Sequence, residues 1–509
     1  MKSVVKKWIL GIFSIILLVD FGVYFHFQSE INHVLGAHTE IIDTSQFKTI
    51  SGKLAITNVN ILSTNSEVMI PNQTVLVEDK KIIAIHSDSI PVANDFHKID
   101  GHNKYLIPGL IDSHVHLKKS KNDLLLYIAN GITHVGEMTG MKEHFEYQKE
   151  IDNGAIGPNI YIASPKLSSQ KGMKANFRSW MERRHQNYTT PKAARKAVHY
   201  YKNKGYKAIK LSSDLNKTNY YAVIDEAKKI NIPVIGHLPI PITLEELYTS
   251  GQSQLSHVES ITYASMLSYG RITSKNADDF LKHLEGKADH IAVKLQENNI
   301  TISTTVATNK SVAKQAFHLA DYLKTIALEY QNPGWVEGSS ISKGWLPGNN
   351  SYEYSSDLTE KQKTEVNAYL KTFTKALDIV TKALVRNNVV ITAGTDANGA
   401  AGAVPGFSLH EELVTLSEIG LTNAEILKAT TSATADWMNE TTGKIEVDYR
   451  ADLVLLNKNP LENIRNSQSI EAVITNGKYL NRLALNNILK AVKNANNRSR
   501  KINIDKYLK

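Results

Sequence analysis

The middle of the chain alternates short apolar runs with longer amphipathic stretches, and this alternation constrains its fold more than any other feature. The runs have the length of buried strands, and several stretches between them begin with helix-capping residues, as at Thr190-Pro191. The eight runs predicted as strands are Leu110–Val115, Ile132–Met138, Ile160–Ala163, Ala208–Leu211, Val234–His237, Gln254–Val258, Ile300–Thr305 and Val389–Ala393. Eight strands alternating with helices predict an α/β fold of the (β/α)8 TIM-barrel type rather than an open sheet.

Short strand-like runs that do not alternate with helical stretches flank this region on both sides. The flanking strand-like runs are Leu54–Ile61, Thr74–Val77, Lys81–Ile85, Ala451–Leu456 and Ala472–Ile474. A chain of 509 residues also exceeds the size at which a single core stops growing. We therefore expect one small β-sandwich built from both chain ends, over 49–106 and 445–482, beside a barrel over 107–444.

One segment of the barrel region is too long for a strand–helix repeat. Residues 310–388 separate the seventh and eighth predicted strands and hold Trp335, Trp345, Tyr352 and Tyr354 among Gly, Pro and Ser. Such a stretch is either a loop excursion that covers a pocket or a packed helical insertion with an aromatic core. The sequence leaves both interpretations open.

The amino terminus has the pattern of a membrane signal. Three lysines precede an apolar run from Trp8 to Phe27, which spans about 30 Å as a helix. Lysines before the run place the amino end inside the cell and the rest of the chain outside. We expect a single-pass transmembrane helix over 1–28 and a polar connector over 29–48, although Asp20 weakens the pattern. The alternative is a cleaved signal peptide and a secreted protein.

The composition excludes several kinds of site and partner. The chain has no cysteine, which excludes disulfides, thiolate metal ligands and thiol nucleophiles. Its formal charge of +9 is modest for this length, and much of it lies near the carboxyl end. We therefore expect residues 483–509 to form a basic, solvated tail, and we expect no nucleic-acid partner.

Side chains that can bind metals recur at the ends of the predicted strands. His114 and His116 are two positions apart on the first strand and therefore project to the same side. Four further residues of this kind end the fourth, fifth, sixth and eighth strands: Lys210, His237, His257 and Asp396. Barrel enzymes hold their catalytic groups at this carboxyl-end face. The pattern therefore predicts a shared metal site at the barrel mouth rather than separate core histidines.

This set resembles the metal-binding residues of the amidohydrolase superfamily, in the same order on the same strands. The resemblance covers about Lys53 to Arg482. Several segments are also similar to the branch with imidazolonepropionase-related hydrolases and amidohydrolase-type Xaa-Pro dipeptidases. These segments are Asn130–Thr133, Gly236–Leu238, His257–Glu259, Thr392–Asp396, Leu409–Leu413 and Ala451–Leu456.

The resemblance implies a centre with two divalent metal ions. It assigns His114, His116 and Asp396 to the first ion and His237 and His257 to the second. Lys210 would bridge the two ions as a carbamate formed with CO2; its alternative is an ordinary ion-paired lysine near a single metal. Four imidazoles with oxygen ligands and no sulfur fit Zn²⁺ best, and Mn²⁺, Co²⁺ and Fe²⁺ also fit.

The same resemblance implies a hydrolase in which Asp396 takes a proton from the attacking water and passes it to the leaving nitrogen. Deaminase branches carry an acid shortly after the fifth-strand histidine, whereas Leu238-Pro239-Ile240-Pro241 follows His237. We therefore expect cleavage of an amide-like C–N bond, in a dipeptide or a cyclic amide, outside the cytoplasm. The alternatives are a lactonase, esterase or phosphotriesterase on the same site, or a catalytically silent surface binding protein.

Contacts with the small-molecule substrate are less well defined by the sequence. His410 lies in a loop-to-helix region after the eighth strand, and Tyr263 or Arg271 could hold a substrate carboxylate. Glu259 either orients a metal ligand or forms an ion pair at a strand end. A homo-oligomer is compatible with the sequence, which does not specify one.

Overall fold

The computed structural model describes residues 2–182, 185–355 and 357–508, apart from the side chains of 2–5, 7, 174, 178 and 180–182. The strands are β1 (Ile50–Ser51), β2 (Leu54–Leu62), β3 (Met69–Glu78), β4 (Lys81–Ser87), β5 (His97–Asp100), β6 (Tyr105–Pro108), β7 (Leu110–Val115), β8 (Ile132–Glu137), β9 (Asn159–Ile162), β10 (Lys166–Ser168), β11 (His185–Asn187), β12 (Ile209–Leu211), β13 (Val234–Gly236), β14 (Gln254–Ser256), β15 (Thr301–Ser303), β16 (Ile391–Thr392), β17 (Leu453–Leu456), β18 (Ile470–Thr475) and β19 (Lys478–Asn481).

The α-helices follow the same numbering in chain order. They are α1 (Lys2–Val34), α2 (Asp123–Ala129), α3 (Lys142–Asp152), α4 (Met173–Glu182), α5 (Pro191–Asn203), α6 (Lys217–Lys229), α7 (Leu244–Ser250), α8 (Val258–Tyr269), α9 (Ala277–Glu297), α10 (Val306–Leu323), α11 (Pro333–Glu337), α12 (Glu360–Arg386), α13 (Phe407–Ile419), α14 (Asn423–Ala429), α15 (Ser432–Met438) and α16 (Arg482–Ser499).

Eight parallel strands form the barrel-like centre of the molecule. β7, β8 and β9 make one sheet, and β12 to β16 run in order in a second sheet that also includes β10 and β11. Single bridges, Ala163–Ala208 and Val115–Ala397, join the two sheets at both edges. Each of the eight predicted strands overlaps one of these strands. The α/β, TIM-barrel-like architecture predicted from the sequence is therefore confirmed.

The later barrel strands are shorter than predicted, and this places functional residues in loops. β13, β14 and β16 end at Gly236, Ser256 and Thr392, so His237 and His257 lie directly after their strands. The strands themselves are buried, and their apolar side chains pack against the surrounding helices in the largest core cluster. The core therefore fixes the strands, while the residues just beyond them are free to present polar side chains.

Strands from both chain ends form one nine-stranded sheet. Its order is β1-β19-β18-β17-β6-β2-β3-β4, with β5 beside β2. β17 pairs with β6 in antiparallel register, with Leu453 opposite Pro108. Ile56, Val75 and Leu106 belong to a core cluster of their own inside this sheet. Because β6 leads directly into β7, the sheet also anchors the start of the first barrel strand.

The amino-terminal helix is longer than the predicted membrane span. Among the described residues, one helical segment, Trp8–Val34, is long and apolar enough to cross a membrane, by length and composition alone. The apolar side chains of its first part are exposed, whereas Ile31 and Leu35 are buried. The backbone amide of Lys119 donates to the Leu35 carbonyl at 2.9 Å. The segment expected to be a polar connector is therefore partly helical and packed on the barrel, because Ile31 and Leu35 lie on one helix face.

The long insertion between β15 and β16 is helical and packed. It comprises most of α10, all of α11 and α12, and the turns between them. Trp345 is only 2% exposed and belongs to a core cluster that includes Leu319, Leu328 and Val404. Of the two interpretations left open by the sequence, the structure shows the helical insertion with an aromatic core.

The carboxyl-terminal segment is not the solvated tail expected from its charge. α16 buries Leu485, Ile488, Val492 and Ala495, which recur every three or four residues along one face of the helix. The helix packs against α2 of the barrel. The basic residues lie between these apolar positions in the sequence. The segment is therefore an amphipathic helix despite its net positive charge.

Candidate active site

The structure brings together all six residues predicted as metal ligands at the carboxyl-end face of the barrel. They are His114, His116, Lys210, His237, His257 and Asp396. One possible ligand atom from each of His114, His257 and Asp396 lies within 4.8 Å of the others. His116 Nε2 is 3.0 Å from Asp396 Oδ1. Lys210 Nζ is 3.5 Å from His114 Nε2. Side chains from separate strands therefore converge on one small volume.

Three buried atoms of the cluster have no hydrogen-bond partner among the described residues. They are His114 Nδ1, His237 Nε2 and Asp396 Oδ1. A buried polar atom left without a partner costs about 1–3 kcal/mol, so such atoms in a native site call for a ligand. Imidazole nitrogens and carboxylate oxygens without sulfur are the donors that zinc and similar divalent ions accept. The residues present therefore fit a bound divalent metal.

Hydroxyl groups set the orientation of the histidine rings. The Thr139 hydroxyl donates to Glu137 Oε1 at 3.1 Å, so its oxygen accepts from the Nδ1–H of His116 at 2.8 Å. This leaves the lone pair of His116 on Nε2, the atom nearest Asp396. Ser213 makes a similar contact with Nδ1 of His237 at 2.7 Å, which leaves the unpartnered Nε2 for a metal.

Glu137 is a functional residue that the sequence did not identify. Its buried carboxylate accepts from the backbone amides of Leu117 at 2.5 Å and Thr139 at 2.6 Å, in addition to the Thr139 hydroxyl. It therefore ties the loop after β7 to the loop after β8. Strand parity could not show this role, because both partners lie beyond the strand ends. The signal available in the sequence was a carboxylate at the end of an otherwise apolar strand.

Three loop residues around the site have positive φ angles. They are His257 (70°), Thr305 (52°) and Asp396 (57°), all directly beyond the ends of β14, β15 and β16 or close to them. Non-glycine residues in this conformation cost about 1–3 kcal/mol each and persist where their surroundings hold them. For the β-branched Thr305 the conformation is especially unfavourable. The site therefore has a strained backbone that neighbouring groups must hold.

Two further buried carboxylates hold these strained loops. Glu412 accepts from the backbone amides of Val306 at 2.9 Å and Ala307 at 2.6 Å, directly after Thr305. The Thr305 hydroxyl in turn contacts Nδ1 of His257 at 2.8 Å. Glu412 is therefore connected to His257 through the loop that carries Thr305.

Asp112 acts in the same way on the loop that carries Asp396. Its carboxylate accepts from the Thr395 hydroxyl at 2.7 Å and from the Thr395 amide at 3.1 Å. An added Cβ at Gly399 would lie 2.2 Å from Asp396 Oδ1, so only glycine fits beside this carboxylate. Asp112, which holds Thr395, and Gly399 therefore fix the position of Asp396 from its two sides.

Burial sets the protonation states of the cluster. It lowers the pKa of His114 and of His237 well below the usual value and lowers the pKa of His257 to about 3. Burial, with the charge of Lys166, also lowers the pKa of Lys210 well below its usual value. The three imidazoles are therefore neutral near pH 7, with lone pairs available for a metal. Burial therefore favours the uncharged amine of Lys210 over its ammonium form.

A cavity of about 1220 Å³ opens from the cluster, and its lining includes Lys166, which the sequence did not single out. Lys166, at the start of β10, lines it together with Glu259. Burial, with the charge of Asp396, raises the pKa of Glu259 to about 7. Burial, with the charges of Asp396 and Glu259, raises the pKa of Tyr352 in the insertion to about 12. Lys166 follows the third strand closely, and this position was the signal available in the sequence.

The structure places the two predicted substrate contacts Tyr263 and Arg271 in different environments. Tyr263 lines the cavity, and its contact with substrate stays a prediction. Arg271 is exposed on the surface beyond α8 and is not among the residues that line the described cavity.

His410 lies away from the cavity, contrary to the substrate contact predicted for it. It is buried, with Nδ1 3.0 Å from the Ser467 hydroxyl and Nε2 3.0 Å from the Asn130 carbonyl. Asn130 lies just before β8, at the amino-terminal end of that strand and opposite the metal-ligand cluster. The side chain therefore joins α13 to the barrel base, and the substrate contact predicted for it does not hold.

Comparison with known proteins decides the family. The sequence pattern of the amidohydrolase family matches residues 105–480, most of the chain. The chain belongs to the amidohydrolase family. It is accordingly an enzyme, a hydrolase of the class that acts on carbon–nitrogen bonds, and the family resemblance proposed from the strand-end residues is confirmed. Members of this family generally bind divalent metals, which agrees with the His-His-Asp cluster.

Solved structures share the amidohydrolase fold at low sequence identity. A prolidase complexed with N-methylphosphonate-L-proline is 18% identical, with a TM-score of 0.61 over 84% of this chain and 100% of that chain. A Xaa-Pro dipeptidase with bound methionine is 16% identical, with a TM-score of 0.60 over 84% and 100% of the two chains. Bottromycin amidohydrolase is 16% identical, with a TM-score of 0.62 over 93% and 96%. No curated protein sequence matches the chain.

Proposed function

We propose that this amidohydrolase cleaves the amide C–N bond of a small, carboxylate-bearing substrate at a centre of two divalent metal ions, most suitably Zn²⁺. The observation that supports this most directly is the convergence of the six strand-end side chains, with His237 Nε2 and Asp396 Oδ1 buried and unpartnered. The ligands of the first ion are His114, His116 and Asp396. Those of the second are His237 and His257.

Lys210 is proposed to bridge the ions as a carbamate. Its side chain is fully buried among neutral imidazoles, and its Nζ donates to the Ser256 hydroxyl at 2.7 Å. An ammonium group has no lone pair and would repel the ions. The uncharged amine favoured by burial can instead add to CO2 and gain two oxygen donors with a negative charge.

Asp396 is proposed as the group that moves the proton. When ions are bound, they polarise the substrate carbonyl and make a water molecule more acidic. Asp396 accepts a proton from that water as its oxygen bonds to the carbonyl carbon. The carboxyl group then donates the proton to the amide nitrogen, so that the C–N bond breaks and a neutral amine leaves.

Lys166 is proposed to bind the substrate carboxylate. It lines the cavity, and its charge contributes to lowering the pKa of both His237 and Lys210, which shows that it is close to the cluster. An ammonium group at this position attracts an anionic substrate group. This contact favours a dipeptide or another N-acyl amino acid over an uncharged cyclic amide.

The domain division and cellular location are also proposals. We assign 49–106 and 445–482 to the β-sandwich and 107–444 to the catalytic barrel, in agreement with the shared nine-stranded sheet and the barrel-like strands. We assign the apolar part of α1 as a single-pass membrane anchor with the catalytic barrel outside the cytoplasm, supported by the exposed apolar helix.

The test is a hydrolysis assay of the full-length protein with a panel of dipeptides and N-acetyl amino acids, with added zinc. We expect Asp396→Asn to lower kcat by about 10²–10⁴-fold. His410→Gln, at the barrel base, is the matched control and should retain kcat. Bound zinc is measured in each variant, so that loss of metal is separated from loss of proton transfer. Full turnover by zinc-loaded Asp396→Asn would refute the proposed role.

A further inference from the structure

The cavity at the metal-ligand cluster is larger than a short amide needs. Its volume is about 1220 Å³, whereas sites for drug-sized ligands occupy roughly 300–1,000 Å³. The inner end holds the metal-ligand cluster and Lys166. From there the cavity continues between the loop after β13, α7, α8 and α9, and we call this part the apolar arm. Its lining also includes the polar side chains of Glu245, His283, Lys287 and His290. Most of its apolar lining comes from Leu238, Ile242, Leu244, Tyr248, Leu284 and Ile291.

The chemistry of the apolar arm differs from that of the cluster. Ile242, Leu284 and Tyr248 are buried side chains that form its walls. At its mouth, Ile240 is 66% exposed and Leu267 is 56% exposed. Apolar side chains that remain exposed around a cavity are typical of a site that binds an apolar ligand.

The amino-terminal helix emerges on the same face of the barrel. Its lower end contacts the loop after β7, where Lys119 bonds to Leu35, and Phe27 lies against Phe177 of α4 with ring centroids 6.3 Å apart. Both contacts lie beyond the carboxyl ends of barrel strands, as the cavity does. If α1 spans a membrane, this docked end holds the cavity face close to the lipid surface, where amphiphilic molecules reside.

We propose that the apolar arm binds a hydrocarbon chain, and that the substrate is an amphiphilic amide, an amino acid carrying a long N-acyl chain. This inference rests on the proposed amide hydrolysis and narrows its substrate class. The scissile amide lies at the cluster, the substrate carboxylate at Lys166, and the acyl chain between α8 and α9. Hydrolysis adds water across the amide, which gives a fatty carboxylate and a free amino acid.

The arm can be blocked without disturbing the cluster. Gly286 lines it from α9, and a Cβ added there meets nothing within 4 Å. The Gly286→Phe side chain therefore has room beside the arm and is expected to occupy it, and Gly286→Ala is the matched control with the same backbone change. Ala264→Phe, on the facing helix α8, is a second, independent block.

The experiment uses the full-length protein in phosphatidylcholine nanodiscs. With zinc, kcat/KM is measured for N-acetyl-, N-butanoyl-, N-octanoyl- and N-dodecanoyl-L-alanine below their micelle concentrations. Without metal, binding of N-dodecanoyl-L-alanine is measured by calorimetry against empty nanodiscs. We expect kcat/KM to rise by up to about fourfold per buried methylene until the arm is full. Gly286→Phe and Ala264→Phe should abolish the rise and weaken binding, with the acetyl substrate unaffected and Gly286→Ala unchanged.

The outcomes separate this inference from the proposed function. Hydrolysis at equal kcat/KM for all chain lengths overturns the inference and leaves the amide hydrolase in place. A rise with chain length that neither blocking variant changes also overturns it, because the chain then lies elsewhere. If both blocking variants weaken dodecanoyl binding but no substrate is hydrolysed, chain binding in the apolar arm is supported and the proposed reaction is overturned.

Discussion

Replacing Glu137 by glutamine tests whether a buried carboxylate orients the metal ligands. Glu137 accepts from the backbone amides of Leu117 and Thr139 and from the Thr139 hydroxyl, which in turn accepts from His116. Glutamine has nearly the same shape, but it has one acceptor oxygen instead of two. Its amide NH2 would face a backbone N–H that it cannot satisfy.

The expected cost follows from the bonds that are lost. A hydrogen bond to a charged group contributes about 1.5–3 kcal/mol, and leaving a buried donor unpaired costs about 1–3 kcal/mol. We therefore expect Glu137→Gln to lower the free energy of unfolding by about 2–4 kcal/mol. Because the single oxygen of glutamine cannot accept from both loops, Leu117 beside His116 and Thr139, the partner of His116, are no longer both fixed. Losing such a support typically lowers metal affinity about 10- to 100-fold.

The assay measures zinc affinity by chelator competition and stability by thermal melting, on the full-length protein. Asp452→Asn is the matched control, because Asp452 is also buried and accepts from the Asn476 amide at 3.0 Å and the Arg450 guanidinium at 3.1 Å. We expect both variants to melt earlier and Glu137→Gln alone to lose zinc affinity. Equal zinc affinity in wild type and Glu137→Gln would refute the orienting role.

Three further predictions concern protonation, the carbamate and the tail. Burial raises the pKa of Asp123 from 3.8 to about 7, so the folded chain keeps a proton that the unfolded chain releases. This group therefore lowers the free energy of unfolding by about 1.4 kcal/mol per pH unit as pH rises from about 4 to about 7, and Asp123→Asn should make the melting temperature fall less steeply with pH over that window. Metal-free protein reconstituted with zinc should regain activity faster with bicarbonate than in CO2-free buffer, and an equal rate would count against a carbamate on Lys210. Leu485→Ala in α16 should cost about 2–5 kcal/mol of stability with kcat retained, whereas an unchanged melting temperature would mean that the tail is dispensable.

Much of the fold could be predicted because the barrel strands lie in short runs rich in apolar residues. A strand buried on both faces favours such runs, and they leave a local signal that a single sequence carries. The ligands could be predicted because a polar residue at the end of such a run stands out. His237 and His257 follow their strands directly.

Other features could not be predicted because their partners are distant in the sequence. His410 bonds to Asn130 and Ser467, and only the folded chain shows that this contact lies at the barrel base. Likewise, the position of Lys166 just after the third strand is a weak signal, and only the folded chain shows that it lines the cavity with His237 and Asp396. In the tail, basic residues separate the apolar residues that form one helix face, so net charge alone does not indicate a buried helix.

The three buried carboxylates around the site act by one physical principle. The ligands lie just beyond short strands, where the ladder of backbone hydrogen bonds has ended and several loop residues have unfavourable φ angles. Asp112, Glu137 and Glu412 replace that ladder by accepting backbone amides from the loops. Burial raises the pKa of Asp112 to about 7 and also raises that of Glu412, so each is costly to hold ionised. A fold that keeps such carboxylates next to its catalytic loops gives up stability to fix the ligand positions before a metal or substrate arrives.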